Sequence, residues 1–231
     1  MQQHSHKNKR DESQWVISYL TLRKSVGILG IALPIVLLTG FWLLDKNCDY
    51  PPSISHYYYT NLGTYFTGTL CAVALFLFSY KGPEDTDKHA SLFAAICALG
   101  VAFFPANPYC NSCNNCVLVH LDYSYLRNGL HYAFAGFLFL TFAYFSLVLF
   151  TKTSYEIKPT KQKLLRNKIY KFCGWVIIIC ITIIGLTSIP AINSIGFIKN
   201  FKPLTFIFEA IALFAFGYSW LIKGETFFKD Q

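Results

Sequence analysis

The feature that most constrains this chain is a set of apolar stretches of about 20 residues with almost no ionisable side chain. In the clearest, Ser25–Leu44, there is no Asp, Glu, Lys or Arg. A helix of that length rises about 30 Å, the depth of a bilayer's hydrocarbon. Lipid offers backbone groups no hydrogen-bond partners, so a segment crossing it must satisfy its own, and a helix does. The runs fall at Ser25–Leu44, Leu62–Tyr80, Ala90–Phe104, Asn128–Phe150, Phe172–Ile189 and Leu204–Ile222. Pro105 stops the third after about 15 residues, and a turn from Asp87–His89 is expected to extend it. The alternating ~10-residue strands of a membrane barrel are absent.

The predicted class is therefore all-α: a polytopic integral membrane protein built as a six-helix transmembrane bundle. Residues 1–24 form a cytoplasmic N-terminal segment, 25–222 the membrane domain and 223–231 a cytoplasmic tail. Over 231 residues, 54% are hydrophobic and 14% charged, more apolar material than one soluble core of this size hides. A soluble enzyme, a disordered tail and a nucleic-acid-binding module are excluded as the main reading.

Lys and Arg resist translocation, and they set the orientation. Of the 20, all but Lys46, Arg127, Lys199 and Lys202 fall on one side if the N-terminus is inside. Both termini are thus expected in the cytoplasm, with loops 1–2, 3–4 and 5–6 on the periplasmic, lumenal or extracellular side. The net charge of +8 is explained by topology and implies no nucleic-acid partner. The first 24 residues are polar and basic and no small-residue cleavage site follows the first run, which reads as a retained signal anchor. Trp15, Tyr19, Leu20 and Leu22 predict a short helix lying on the inner surface before it. Trp175 and Trp220 near inner ends, and Trp42, Tyr57, Tyr58 and Tyr59 near outer ends, suit interfacial belts. Gly63, Gly68, Gly136, Gly174, Gly185 and Gly217 suit close helix approach.

An ionisable residue inside a span needs a partner and is a functional candidate by default. Two stand out. His131 and Glu209 both sit roughly 5–8 Å below the outer boundary at 1.5 Å per residue, and the spacing lets them face each other. Arg127 and Asn128 share a helix face with His131, and Thr205 shares one with Glu209. Asn61, Thr64 and Thr67, with Thr187 and Ser188, add polarity at that depth, and the outer loops add His56, His120, Asp122, Ser53, Ser55, Asp45 and Asp49. One reading is a polar cavity in the outer leaflet; the other is a structural His131–Glu209 bond that fixes helix register.

Cys71, Cys97, Cys173 and Cys180 lie in spans and behave as small apolar residues. Cys48 and the run Cys110, Cys113, Cys116 lie in outer loops, where two disulfides are expected in an oxidising compartment. A metal site using Cys110, Cys113 and Cys116 with Cys48 or His120 is the alternative, although structural zinc ordinarily takes two separated C-x-x-C knuckles. No metal site is assigned. Nucleotide, dinucleotide, zincin and G-x-S-x-G motifs are absent, so no cofactor is expected. Ser53 and Ser55 beside His56, in an extended Pro-rich stretch, would point apart and make no dyad.

In span order the chain resembles the DRAM-like family of six-span membrane proteins, which includes damage-regulated autophagy modulators and Golgi proteins that remodel GPI-anchor lipids. The residues that carry the resemblance are Pro52-Ser53-Ile54-Ser55-His56, His131 early in span four and Glu209 in span six; the family has an acidic residue where His56 stands. The resemblance implies cytoplasmic termini and lipid-linked work at the lumenal or periplasmic leaflet.

The expected function is binding or processing of a lipid or lipid-linked head group, with acyl hydrolysis or transfer as its chemistry. His131 is the expected general base, held by Glu209, and His56, Asp122, Arg127 and Asn128 are the expected substrate-binding residues. Membrane lipids are the expected partners, with a membrane protein or a second copy of the chain beside them. A non-catalytic scaffold binding partner helices is the alternative. A small-solute transporter fits less well, because no inverted repeat or broken helix is evident.

Overall fold

The computed structural model describes residues 2–45, 48–82, 84–109, 117–152, 160–194, 196 and 201–226, with side chains from Tyr19 onward except at 190 and 193. Among these the secondary structure is entirely helical. The helices are α1 (Gln2–Leu44), α2 (Gly63–Ser79), α3 (Asp85–Phe103), α4 (Tyr125–Tyr144), α5 (Lys161–Thr187), the single turn α6 (Pro190–Asn193) and α7 (Leu204–Lys223). A 3₁₀ helix, Ile54–Tyr59, lies between α1 and α2, and a π-helical turn, Phe145–Leu149, prolongs α4.

Four stretches are long and apolar enough to cross a membrane: Tyr19–Leu44, Tyr125–Leu149, Lys161–Thr187 and Leu204–Lys223. Gly63–Ser79 is apolar but shorter, and α3 begins with a charged turn. The apolar window of α5 is only 28% buried inside the protein. Its outward side chains, Phe172, Trp175 and Ile179, are 55–70% exposed, as are Leu75 and Phe78 of α2 at 67% and 68%. Water would not solvate such a surface, and lipid does. The chain is a multi-pass membrane protein.

Helix limits depart from the sequence reading where polar residues prolong a span. The inner-surface segment expected at Trp15–Leu22 is not separate: α1 runs from Gln2 without interruption into the apolar stretch. Likewise α5 begins at Lys161, where Thr160 accepts a hydrogen bond from the Lys163 amide, well before the expected Phe172. At α3 the expected extra turn exists, because Glu84 and Asp87 form a capping box that starts the helix at Asp85.

α7 packs between α1 and α5, and its inward face forms the centre of the core. A Cβ on Gly27 of α1 would lie 2.7 Å from the Gly217 carbonyl oxygen of α7, and one on Gly217 would lie 2.6 Å from that of Gly27. The two backbones touch there because neither position has a side chain. Gly174 similarly admits the Leu147 side chain. Gly68, Gly136 and Gly185 face open space, so close approach, expected at these positions too, is not their role.

Towards the C-terminal end of α7, Trp220 lies between Tyr80, Phe145 and Phe150, with ring centroids 5.2–5.3 Å away, and Phe142 stacks on Phe216 at 3.6 Å. Trp220, Tyr57 and Tyr59 are fully buried, which corrects their assignment to interfacial belts. Each occupies the packed face of its helix, so its place near a span end is not enough to expose it. Trp42 and Trp175, about 60% exposed, do face outward.

Candidate functional site

The site is built where the loop after α1 folds down onto α7. Pro51 and Pro52 lead into the Ile54–Tyr59 3₁₀ turn. The Phe206 amide of the first turn of α7 donates to the Pro52 carbonyl at 3.0 Å, which satisfies a donor that helix geometry leaves unpaired. In the other direction the Ile54 amide donates to Glu209 Oε2 at 2.6 Å. Glu209 therefore holds the loop by its backbone.

Three residues per turn put side chains i and i+3 on one side. Ser53 Oγ accordingly lies 2.6 Å from His56 Nδ1. The expectation that serine and histidine point apart assumed an extended strand, and the segment is helical.

Ser55 projects into the bundle, where its Oγ lies 2.9 Å from His131 Nε2. The other ring nitrogen, Nδ1, is 2.8 Å from the Phe104 carbonyl oxygen. A carbonyl only accepts, so Nδ1 carries the hydrogen, and the bare Nε2 accepts from the Ser55 hydroxyl. His131 is 2% exposed and Ser55 8%. His131 is thus not held by Glu209: its orienting partner is the end of α3, and Glu209 is bonded to the residue before Ser55.

The backbone that receives His131 is bound at four successive carbonyls. His131 takes that of Phe104, Arg127 Nε that of Pro105 at 3.3 Å, the Tyr59 hydroxyl that of Ala106, and the His56 ring that of Asn107. Two imidazoles thus repeat one pattern: each accepts a serine hydroxyl from loop one and donates to a carbonyl of residues 104–107. Burial first, and then the neighbouring His131, bring the pKa of His56 down to about 4 against the opposing Asn107 bond.

The other expected site residues are placed differently. Asn128 Oδ1 accepts from the Asn107 amide at 2.9 Å. Arg127 Nη2 donates to Asn107 Oδ1 at 3.1 Å and to the Asp122 carbonyl at 2.6 Å. Both hold the loop before α4. The Asp122 side chain and His120 are exposed, and His56 is drawn into the serine–histidine pattern. Thr187 and Ser188 hydrogen-bond back to Ile184 of their own helix and do not join the polar cluster. Asn61 instead joins the end of α1 to the start of α2 by donating to Asp45 Oδ1 at 2.6 Å.

Beneath Ser55 is a small cavity of about 40 Å³, room for roughly one water molecule. Ser55 and Glu209 are its polar lining, and Leu33, Phe66, Leu138 and Phe139 are among its apolar walls. It therefore lies among α1, α2, α4 and α7, below the loop-one turn. Cys48 is disulfide-bonded, whereas Cys71, Cys97, Cys173 and Cys180 are free. Cys110, Cys113 and Cys116 lie outside the described residues. Among the described residues no three His, Cys, Asp or Glu side chains gather as a metal site.

Chemically, the arrangement offers a hydroxyl hydrogen-bonded to a neutral imidazole whose far side is oriented, above an apolar space. No family model, curated protein or solved structure matches the chain.

Proposed function

We propose that this protein is a six-span enzyme of the outer leaflet that hydrolyses or transfers an acyl group of a lipid or lipid-linked head group. The observation that carries the reading is the Ser55–His131–Phe104 arrangement over the apolar cavity. Ser55 Oγ attacks the acyl carbonyl carbon as its proton passes to His131 Nε2. The tetrahedral adduct collapses with cleavage of the bond to the head-group oxygen, which takes the proton back from His131. Water or a second alcohol, deprotonated by His131, then attacks the acyl-serine and releases Ser55. The Phe104 carbonyl keeps the base in the required tautomer, and Glu209 positions Ser55 through Ile54. His56, Arg127 and Asn128 secure the loops that form the mouth, and Asp122 lies exposed beside them for a polar head group.

The placement in the outer leaflet follows from the Lys and Arg distribution with both termini in the cytoplasm. Resemblance to the DRAM-like proteins points the same way, since Golgi members of that family act on GPI-anchor lipids. No metal or organic cofactor enters the chemistry. A second reading, a scaffold that binds partner helices or another copy of itself, draws on the same geometry: Ser53, Ser55, His56, Arg127 and His131 all have protein partners already.

A fluorophosphonate probe on the purified, detergent-solubilised protein tests the enzyme. Mass spectrometry is expected to find the adduct on Ser55 in the wild type and none in His131→Ala. Phospholipids labelled on the acyl chain should lose it to water or alcohol only in the wild type. A folded wild-type protein with neither adduct nor turnover supports the scaffold instead.

A further inference from the structure

The cavity beneath Ser55 is open on one side. Ala135 and Phe139 of α4 and Glu209 of α7 are partly exposed, and every other residue that lines it is buried. The open side therefore lies between α4 and α7.

These two helices diverge there. They touch where Ser146 Oγ donates to Ser219 Oγ at 3.0 Å and where Phe142 stacks on Phe216 at 3.6 Å, and all four residues are buried. Positions 135, 139 and 142 share one face of α4, so the stripe that carries Phe142 continues towards the N-terminus of the helix through Phe139 and Ala135. Beside it, Tyr132 is 59% exposed. On α7 the matching residues Glu209, Phe208 and Thr205 are partly exposed as well. Nor does α5 close the gap: Cys180 is 3% exposed, and beyond it no residue from Ile181 to Ile189 is buried. A cleft thus starts at the Phe142–Phe216 stack, opens towards the loop-one end of the bundle and joins the cavity at Ser55. Protein interiors leave few gaps of this kind, and in a bilayer a lipid chain fills one.

Volume decides what the cavity alone can hold. An apolar cavity of about 150 Å³ takes a benzene molecule, so the cavity of about 40 Å³ takes one or two carbons of an acyl group. A longer chain bonded to Ser55 has to leave by the open side.

We propose that the cleft between α4 and α7 is the passage through which one long acyl chain of a membrane lipid reaches Ser55 from the bilayer, with Ala135 and Phe139 as its wall. The inference rests on the serine chemistry proposed above, to which it adds the substrate class, long-chain esters embedded in the membrane, and their route. Glu209 stands where the passage meets the cavity, with Oε2 already bonded to the Ile54 amide, so the apolar surface beside the chain comes mainly from α4.

Two alkyl fluorophosphonates test this on the purified, detergent-solubilised protein, one ethyl and one hexadecyl with a diazirine at mid-chain. Each reacts by bonding its phosphorus to Ser55 Oγ as fluoride leaves and His131 takes the proton. Irradiation of the hexadecyl adduct of the wild type is expected to cross-link residues 132–139 and 205–212. Ala135→Trp, which fills the cleft, should slow hexadecyl labelling relative to ethyl labelling by about tenfold or more. Ala133→Trp, on the exposed side of the same helix, should leave that ratio unchanged. Should Ala135→Trp not fold, the wild-type cross-links decide. Cross-links confined to other helices or to a second polypeptide, or none to the protein, overturn the passage while the serine chemistry stands, as does equal slowing of both probes. Absence of any adduct from folded wild-type protein with either probe removes the serine chemistry, and the passage with it.

Discussion

His131 Nε2 and Ser55 Oγ lie 2.9 Å apart although 76 residues separate them in sequence. This contact joins the loop after α1 to the first turns of α4, and its energetics are separable from its chemistry. Ser55→Ala removes a donor to a bare nitrogen and should cost about 1 kcal/mol; His131→Ala also releases the Phe104 carbonyl and should cost about 1–3 kcal/mol. The double variant should cost less than the sum, because both changes break one bond. Chemical unfolding in detergent measures all three. If Ser55 is the nucleophile, turnover should vanish in Ser55→Ala while most of the folded protein survives.

The α1–α7 contact should be intolerant of volume. Gly27→Val or Gly217→Val drives a side chain into the facing backbone, and a destabilisation of about 1–3 kcal/mol or more is expected. Gly68→Ala and Gly136→Ala meet nothing within 4 Å and should be neutral or stabilising by up to about 1 kcal/mol. Paired thermal melts of the four variants check the contrast.

Acid should loosen loop one. His56 titrates at about 4 in the folded protein against 6.5 ordinarily, so the unfolded chain takes up the proton first as pH falls. The associated stability is present above pH 6.5 and is lost progressively from 6.5 towards 4, amounting to up to about 3 kcal/mol. The loss of stability between pH 7 and pH 5 should be smaller in His56→Asn than in the wild type. Equal pH dependence in the two proteins would show that another group governs it.

The thiols should divide by location. Alkylation of unfolded, unreduced protein should modify Cys71, Cys97, Cys173 and Cys180 and spare Cys48. We expect Cys110, Cys113 and Cys116 to be spared too, as two outer disulfides require; stoichiometric zinc, with these thiols reactive after chelation, would favour the metal alternative.

Topology reporters fused after Lys161 and Gln231 should read cytoplasmic, and one within Asn111–Asn115 external. An external signal at Lys161 would refute six crossings with inner termini.

Membrane character and helical class were legible because lipid permits little else in an apolar run, and two buried polar positions because they depart from that rule. An ionisable side chain in an apolar run is visible without any knowledge of its partner, which is why His131 and Glu209 could be read from sequence. Ser55 was legible only as one of several polar residues of the outer loops, and its importance comes from an imidazole 76 residues away. The pairing expected between His131 and Glu209 followed from equal depth, but depth fixes neither rotation about a helix axis nor the path of a loop. Trp220 failed as a belt residue for the same reason: its position along α7 was evident, whereas the face it presents to Tyr80 and Phe145 depends on tertiary packing. The Ser53–His56 pair was missed because two consecutive prolines suggested an extended chain, and the 3₁₀ turn begins one residue after them, with Ser53 at its N-cap.

The four occupied carbonyls of residues 104–107 have an evolutionary consequence. The side chains that occupy them come from both loop one and α4, so an insertion or deletion on either side would displace donors supplied by the other. In a lineage of related chains, the distance from His56 to Tyr59 and the distance from Arg127 to His131 should stay constant. Substitutions at Ser53 and Ser55 should be inherited together with changes at His56 and His131, respectively.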